Sequence, residues 1–348
     1  MPHGTLWVYL LTCFAAADLN RGLRYQTIPS MASGAGSPAV LEKNGKTLMR
    51  TCVTGDRTKP IIFFIHGFPD DESVWDDAVQ HYQGRYQCVC VTLPNCGGVV
   101  DRSWGFDFPE MLHMLKNTVD DVNPTGAPMV VVAHDWGTAY ARAFEKAYPH
   151  LVKKLVLIDI GPDFAALPSS PMIVFRSSHP SIIGYLLQPL YTLVLACVFL
   201  AQAAIPIRSV GHFVAGVLNT ILTIIWKLIN MIFHPPNVKL QFVHRKSPYQ
   251  YAQAYPYFYL WKHVLFGSAN NAFDGEWSEP KCPVLFVYGG QGIKALMNYH
   301  SPAVLKWFKE KAPKGSQAVA FNNAGHWVMH DCQKEFHTLV DQLLAATD

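Results

Sequence analysis

Charge is scarce in this chain of 348 residues: 15% of it is Asp, Glu, Lys or Arg, against roughly 25% in an average soluble domain. With a net charge of +3 and no Lys/Arg run longer than two, it lacks the electrostatic footprint that nucleic acid binding requires, and that class is set aside. The eight cysteines, Cys13, Cys52, Cys88, Cys90, Cys96, Cys197, Cys282 and Cys332, contain no C-x-x-C pair and no Cys/His spacing of the zinc type. No metal site is therefore expected. Most of them fall in apolar, strand-like runs, which suits buried free thiols in a reducing, intracellular compartment better than a disulfide framework. No Lys or Arg precedes the run "LWVYLLTCFAAA", so it reads as a buried or surface-lying helix rather than as a signal-peptide core. Internal repeats and low-complexity tracts are also missing.

What the chain has in plenty is apolar residues, 50% of the total, and enough length for one large domain with an insertion. From about residue 37, short apolar runs alternate with longer amphipathic ones, the pattern of a mostly parallel sheet covered by helices. "KTLMRTCVT", "PIIFFIHG", "YQCVCVTLP", "PMVVVAHD" and "VKKLVLIDIG" read as strands; "FDFPEMLHMLKNTVDDV" and "GTAYARAFEKAYPH" read as helices. The rhythm stops over residues 163–275, which hold long apolar helical stretches and the aromatic segment "SPYQYAQAYPYFYLWKH". It resumes with "CPVLFVYGG", "SPAVLKWFKEKAP", "SQAVAFNNAG" and "CQKEFHTLVDQLLAA". The expected organisation is an N-terminal extension (1–35), an α/β core (36–162 and 276–348) and a helical hydrophobic insertion (163–275).

The chemistry gathers at three landmarks. Ala133-His134-Asp135-Trp136-Gly137 has the small-x-nucleophile-x-small pattern of a strained strand-to-helix turn, which pushes its central side chain out above a sheet. An aspartate stands where a serine is usual. "IHGFPDDESVW" follows the strand ending at Ile65, where such folds place part of an oxyanion hole. "NNAGHWVMHD" puts His326 on a loop after the last predicted strand.

With H-G-x-P, H-D-x-G and a late G-H in this order, the chain resembles the epoxide hydrolase and haloalkane dehalogenase group of the α/β-hydrolases. The resemblance covers residues 36–162 and 276–348 and is weak in the insertion, which it identifies as a cap. It implies a reason for the aspartate. Attack by serine on the sp³ carbon of an epoxide or alkyl halide would leave an ether that activated water cannot undo, whereas a carboxylate leaves an ester. Water then strikes the carbonyl carbon of Asp135, with His326 as base and the backbone N–H groups of Phe68 and Trp136 holding the oxyanion.

Many members of the group carry the histidine's orienting acid after the strand here written "PVLFVYGG", but "QGIKALMNYH" has no carboxylate. Asp159, ending "KLVLID", can fill the gap, as in fluoroacetate dehalogenases and one branch of haloalkane dehalogenases; Asp163 is the alternative. Epoxide opening also needs proton donors, which the resemblance places on cap tyrosines. Tyr255 and Tyr257 compete for one place, Tyr185 and Tyr191 for the earlier one. Trp261 keeps a halide reading open, while Phe68 stands where some dehalogenases carry a halide-binding asparagine.

The resulting expectation is a cofactor-free hydrolase of an apolar, lipid-like epoxide, with a dehalogenase or a silent lipid-binding homologue as alternatives. "LYTLVLACVFLAQAAI" and "SVGHFVAGVLNTILTIIW" carry no Asp, Glu, Lys or Arg and show little polar stripe. They are expected to form a lid that dips into one leaflet of an intracellular membrane. Nothing in the sequence fixes an oligomeric state.

Overall fold

The computed structural model describes residues 37–162, 182–233, 246–266, 278–290 and 299–346. The N-terminal run, Asp163 and the side chain of Tyr185 lie outside that description. A seven-stranded sheet has the order β3-β5-β4-β6-β7-β8-β9, where β3 is Thr51–Thr54, β4 Ile61–Ile65, β5 Gln87–Val91, β6 Met129–His134, β7 Val152–Ile158, β8 Val284–Gly289 and β9 Gln317–Phe321. Only β3 runs antiparallel to its neighbour; the other pairings are parallel. β1 (Val40–Lys43) and β2 (Lys46–Met49) form a separate hairpin. The run "KTLMRTCVT" thus divides at Arg50. Its amide donates to Ala39 O at 2.7 Å and its guanidinium reaches Ser37 O and Glu72, holding the chain where it passes from one sheet to the other.

The central strands β4, β6 and β7 are mostly apolar because both faces of the sheet are covered, with His134 at the end of β6 and Lys153 and Lys154 near the start of β7 as exceptions. Phe63, Ile65, Val131, Ala133, Leu155 and Leu157 face one layer; Ile62, Phe64, Val130, Val132, Val156 and Ile158 face the other. Helices α2 (Phe108–Val122) and α3 (Trp136–Ala147) cover the first face, and α1 (Asp76–Tyr82) and α9 (Gln333–Ala345) the second. Further helices are α4 (Ile182–Ala204), α5 (Arg208–Phe233), α6 (Tyr255–Phe266), α7 (Pro302–Glu310) and the single turn α8 (Val328–Asp331). The connection leaving β4 leads to β5 on one side, whereas β6 lies on the other side of β4. A crevice therefore opens between the carboxyl ends of β4 and β6, the place where open α/β sheets bind ligands.

Helices α4 and α5 form an antiparallel hairpin and, with α6, make the cap. Helix α4 begins seven residues before Pro189 and runs through it, the proline removing one donor from the helical ladder; Thr192 Oγ1 donates to the Pro189 carbonyl at 3.0 Å. Both ends of the insertion are tied to one buried pair on α3. Arg142 donates to Pro162 O at 3.3 Å, where the chain leaves the core, and to Ser278 O at 2.6 Å, where it returns. Its partner Glu145 accepts from the Lys281 amide at 2.9 Å. Removing either member would strand the other charge in a dry site, a change that typically costs about 3–5 kcal/mol.

Candidate active site

Asp135 sits at the tip of the β6–α3 turn with φ 53° and ψ −125°. A non-glycine residue there costs on the order of 1–3 kcal/mol and persists only if its surroundings impose it. Two glycines let them do so. A Cβ on Gly67 would lie 2.4 Å from Asp135 Cβ, and one on Gly137 would lie 2.3 Å from Ile65 O. The spacing of both motifs is thus a requirement of close approach. With Gly67 in place, the Phe68 amide reaches Asp135 Oδ1 at 2.8 Å. His66 fixes this loop by accepting from the Leu93 amide through Nε2 and donating from Nδ1 to Gly67 O, both at 2.9 Å. Trp136 is the first residue of α3, a position whose N–H the helix itself does not use.

The second carboxylate oxygen of Asp135 lies 3.5 Å from His326 Nε2, and His326 Nδ1 lies 2.5 Å from Asp159 Oδ2. Asp159 stands at the carboxyl end of β7, also in the left-handed region at φ 69°, with its amide on Val287 O at 2.7 Å. The histidine ring is thus bracketed by one carboxylate from β6 and one from β7. A carboxylate on Nδ1 fixes the tautomer and the ring orientation.

The cap closes the crevice with aromatic rings. Tyr257 packs edge-on against Phe68 and against Trp136, each at 5.2 Å between centroids, and against Tyr191 at 5.8 Å. Burial raises the Tyr257 phenol well above its usual range, and Tyr191 and Asp135 push it further. Tyr191 is raised by burial too, with Asp135 adding to the shift and a hydrogen bond from Tyr257 opposing it. Both phenols therefore remain protonated donors beside the carboxylate at neutral pH.

Of the residues expected from sequence, the structure brings together Asp135, His326, Asp159, Phe68, Trp136, Tyr257 and Tyr191. Tyr255 does not join them. Its hydroxyl points to Met111 Sδ of the core helix α2 at 3.2 Å and its ring lies beside Phe106. The Trp261 indole N–H is engaged by Thr192 Oγ1 at 3.2 Å. Sequence reasoning missed Tyr299, which feels Tyr191, Asp135 and Asp159 and whose phenol is raised chiefly by burial. It lies outside the insertion in which donors were sought. Reasoning also passed over Asp70, fully buried in the loop that follows β4.

A mostly parallel sheet with a carboxylate on the β6–α3 elbow, a histidine after β9 and helices α4–α6 packed over its crevice defines the class. The chain matches the alpha/beta hydrolase family over residues 62–338 and belongs to it. It is similar to epoxide hydrolase 1 of Caenorhabditis elegans, 28% identical over 109 residues that make up 31% of this chain and 26% of that protein. It is also similar to epoxide hydrolase 3 of Xenopus tropicalis (28% over 129 residues, 37% and 33% of the two chains) and to cis-3-alkyl-4-alkyloxetan-2-one decarboxylase of Shewanella oneidensis (26% over 140 residues, 37% and 41%). Each match spans under half of the relative's length. Among solved structures, a variant of an epoxide hydrolase from Bacillus megaterium, crystallised with its diol product, superposes with a TM-score of 0.57 at 16% identity, covering 88% of this chain and 100% of that one. At such identity the likeness is one of fold.

Proposed function

We propose that the protein is an epoxide hydrolase that opens an apolar, lipid-like epoxide to a diol through an ester on Asp135. The observation that carries this reading is the division of labour between the two oxygens of Asp135: Oδ1 is held by the Phe68 N–H at 2.8 Å, while Oδ2 faces His326 at 3.5 Å. Oδ2 attacks a ring carbon, the C–O bond of the epoxide breaks, and Tyr257 with Tyr191 delivers a proton to the departing oxygen. His326 then takes a proton from water, and the water oxygen adds to Cγ of Asp135. Negative charge develops on Oδ1, where Phe68 and Trp136 present their N–H groups. Collapse breaks the ester C–O bond, the His326 imidazolium gives its proton to the departing alcohol oxygen, and the proton left on the regenerated Asp135 carboxyl returns to the tyrosinate, restoring every group. Asp159 holds the imidazole and steadies its charged form.

Two further observations support an epoxide over a halide. Paired phenols suit an alkoxide leaving group, and the Trp261 indole is already taken by Thr192. The relatives named for epoxide and oxetanone chemistry act on strained oxygen rings, in keeping with such a substrate. The walls of Phe68, Trp136, Tyr191 and Tyr257 favour an apolar body.

Substrate delivery from a membrane leaflet is part of the same reading. Along α5, Val210, Phe213, Val217, Ile221, Ile224, Ile225 and Leu228 are all exposed and follow one another at helical spacing. That apolar stripe faces away from the core, opposite to the usual orientation of a surface helix. Helix α4 faces the other way, with Leu195, Val198 and Phe199 buried, so the hairpin suits a lid resting in one leaflet better than a pair of spans.

The test is a single turnover in water enriched in heavy oxygen, followed by mass measurement of the peptide that contains Asp135. One heavy oxygen should enter that side chain, and Asp135→Ala should abolish product. Diol formation with an unlabelled peptide would overturn the ester mechanism.

A further inference from the structure

At the edge of the sheet, two thiols face each other across a strand pair. β3 is the edge strand and runs antiparallel to β5, and the register sets Cys52 directly opposite Cys90. Directly opposed residues of an antiparallel pair project from the same face. Here it is the face covered by α1, since Cys90 packs with Phe64, Trp75 and Ala78. Cys52 is exposed, whereas Cys90 is only 4% exposed. One thiol meets solvent and its partner stands behind it.

Their spacing follows from the hydrogen bonds. The Thr92 amide donates to Arg50 O at 2.9 Å, which makes Arg50 and Thr92 a hydrogen-bonded pair; the pattern repeats every second residue, so Cys52 and Cys90 form the next one. The Cα atoms of such a pair lie about 5.5 Å apart, inside the range that a disulfide spans. Their Cβ atoms lie about 4.5–5.5 Å apart, against roughly 3.5–4.5 Å in a disulfide, so closing the bond draws the strands together and leaves it strained. A strained disulfide is easily reduced. Cys88 is no substitute. It sits opposite Thr54 and diagonal to Cys52, at a typical Cα separation of about 7–8 Å that a disulfide does not bridge.

We propose that Cys52 and Cys90 are a reversible redox site, joined across β3 and β5 when a small-molecule disulfide such as oxidised glutathione is in excess and released as two thiols when reduced glutathione returns. Cys52 is the point of entry because it alone of the two is exposed. Its sulfur gives its proton to water and attacks one sulfur of oxidised glutathione, whose S–S bond breaks and whose other half departs as a thiolate that takes a proton back. Cys90 then attacks Cys52 Sγ, the mixed S–S bond breaks, and the second glutathione leaves with the Cys90 proton. Two protein thiols are oxidised, and one glutathione disulfide is reduced to two thiols. Burial, with Cys52, Cys88, Glu72 and Asp76 adding to it, holds the Cys90 thiol well above its usual range, which suits it to the second attack and not to the first. Neither sulfur takes part in the proposed epoxide chemistry, so the site stands apart from that reading.

The experiment exposes the whole folded chain to buffers of oxidised and reduced glutathione in varied ratio, blocks the remaining thiols with an alkylating agent, and digests without reductant. In the oxidised buffer a peptide linking Cys52 to Cys90 should appear, two hydrogens lighter than its parts, with loss of alkylation at Cys52. Transfer to reduced glutathione should restore both thiols, whereas an unstrained structural disulfide resists that buffer. Cys90→Ala should stop at glutathione held on Cys52, and Cys52→Ser should leave Cys90 unmodified. Should the buried substitution prevent folding, the native chain alone decides. An unmodified native chain, a mixed disulfide that stays on its Cys52, a link from Cys52 to Cys88, or a Cys52–Cys90 link that forms only in denaturant would each overturn the proposal. So would a link that reduced glutathione fails to open.

Discussion

The sheet side and the cap side of the site are built from different forces. On the sheet side, Asp135 and Asp159 are presented by left-handed residues at strand ends, and contacts of 2.8 Å to Phe68 N and 2.5 Å to His326 Nδ1 fix their oxygens. On the cap side, Tyr257 and Tyr191 are held mainly by ring packing, Tyr191 also stacking on Trp226 at 4.7 Å. Hydrogen bonds are directional and fail over fractions of an ångström; apolar packing is not directional and accepts many shapes. The division suits an enzyme whose bond-making steps require one geometry while its substrates vary in the apolar remainder. It also says where substitutions should be tolerated.

The comparison breaks first at Asp159 if it breaks at all. Asp159→Asn leaves the nucleophile charged and in place, so ester formation should continue. It removes the carboxylate that fixes the His326 tautomer, and ester hydrolysis should fall by about 10³–10⁴. The alkylated protein should then accumulate and be visible as a mass shift on the Asp135 peptide. Rapid clearance of that adduct would mean that the sheet side is not defined by this hydrogen bond.

A smaller effect separates two tyrosines on the same cap helix. Tyr257→Phe should slow ring opening by about 10–100-fold, toward the low end of general-acid contributions because Tyr191 remains. Tyr255→Phe should alter it less than about twofold, since that hydroxyl meets Met111 and not the carboxylate. Rapid-mixing measurement of the first turnover reads both. The reverse order would place the donor on the wrong face of α6.

These two cases also show what the sequence could reveal. Gly67 and Gly137 had to be glycines for the loops to meet, and that need left a pattern around Asp135 legible without a structure. Asp159 was legible because no acid follows β8 and because it ends the strand next to β6. The tyrosine that faces Asp135 was not. Tyr255 and Tyr257 are two positions apart on a helix, about 200° around it, and nothing in a segment as aromatic as "SPYQYAQAYPYFYLWKH" says which face meets Asp135. Asp70 escaped for a different reason. Its neighbour Asp71 caps the following helical turn and takes the amides of Lys246 and Ser247 at 2.9 and 2.7 Å, so the pair "DD" looks like ordinary capping although Asp70 turns inward.

The smallest effect on folding belongs to the cap's outer surface, where composition alone misleads. Helices α4 and α5 are similarly apolar, but Phe199 of α4 is fully buried against the core and Val198 against the inner side of α5, while Phe213, Ile221 and Leu228 of α5 are 71%, 50% and 52% exposed. What differs is the neighbour: α4 has Phe258 and Trp104 beneath it, and the outward stripe of α5 has none among the described residues. Phe199→Ala should therefore cost the about 3–5 kcal/mol of a core truncation. Ile221→Lys with Leu228→Lys removes surface groups only and should change stability by no more than about 0.5 kcal/mol per site. Turnover of a small water-soluble epoxide should likewise be unaffected. Binding to phosphatidylcholine vesicles should be lost, because burying each such side chain in an apolar phase contributes up to about 1.5–3 kcal/mol, and a lysine in its place must keep its ammonium in water. Flotation with vesicles checks this directly. If the unaltered chain stays behind, monodisperse without detergent, the α5 stripe is not a membrane surface, and the contrast between the two helices ends at the edge of the protein.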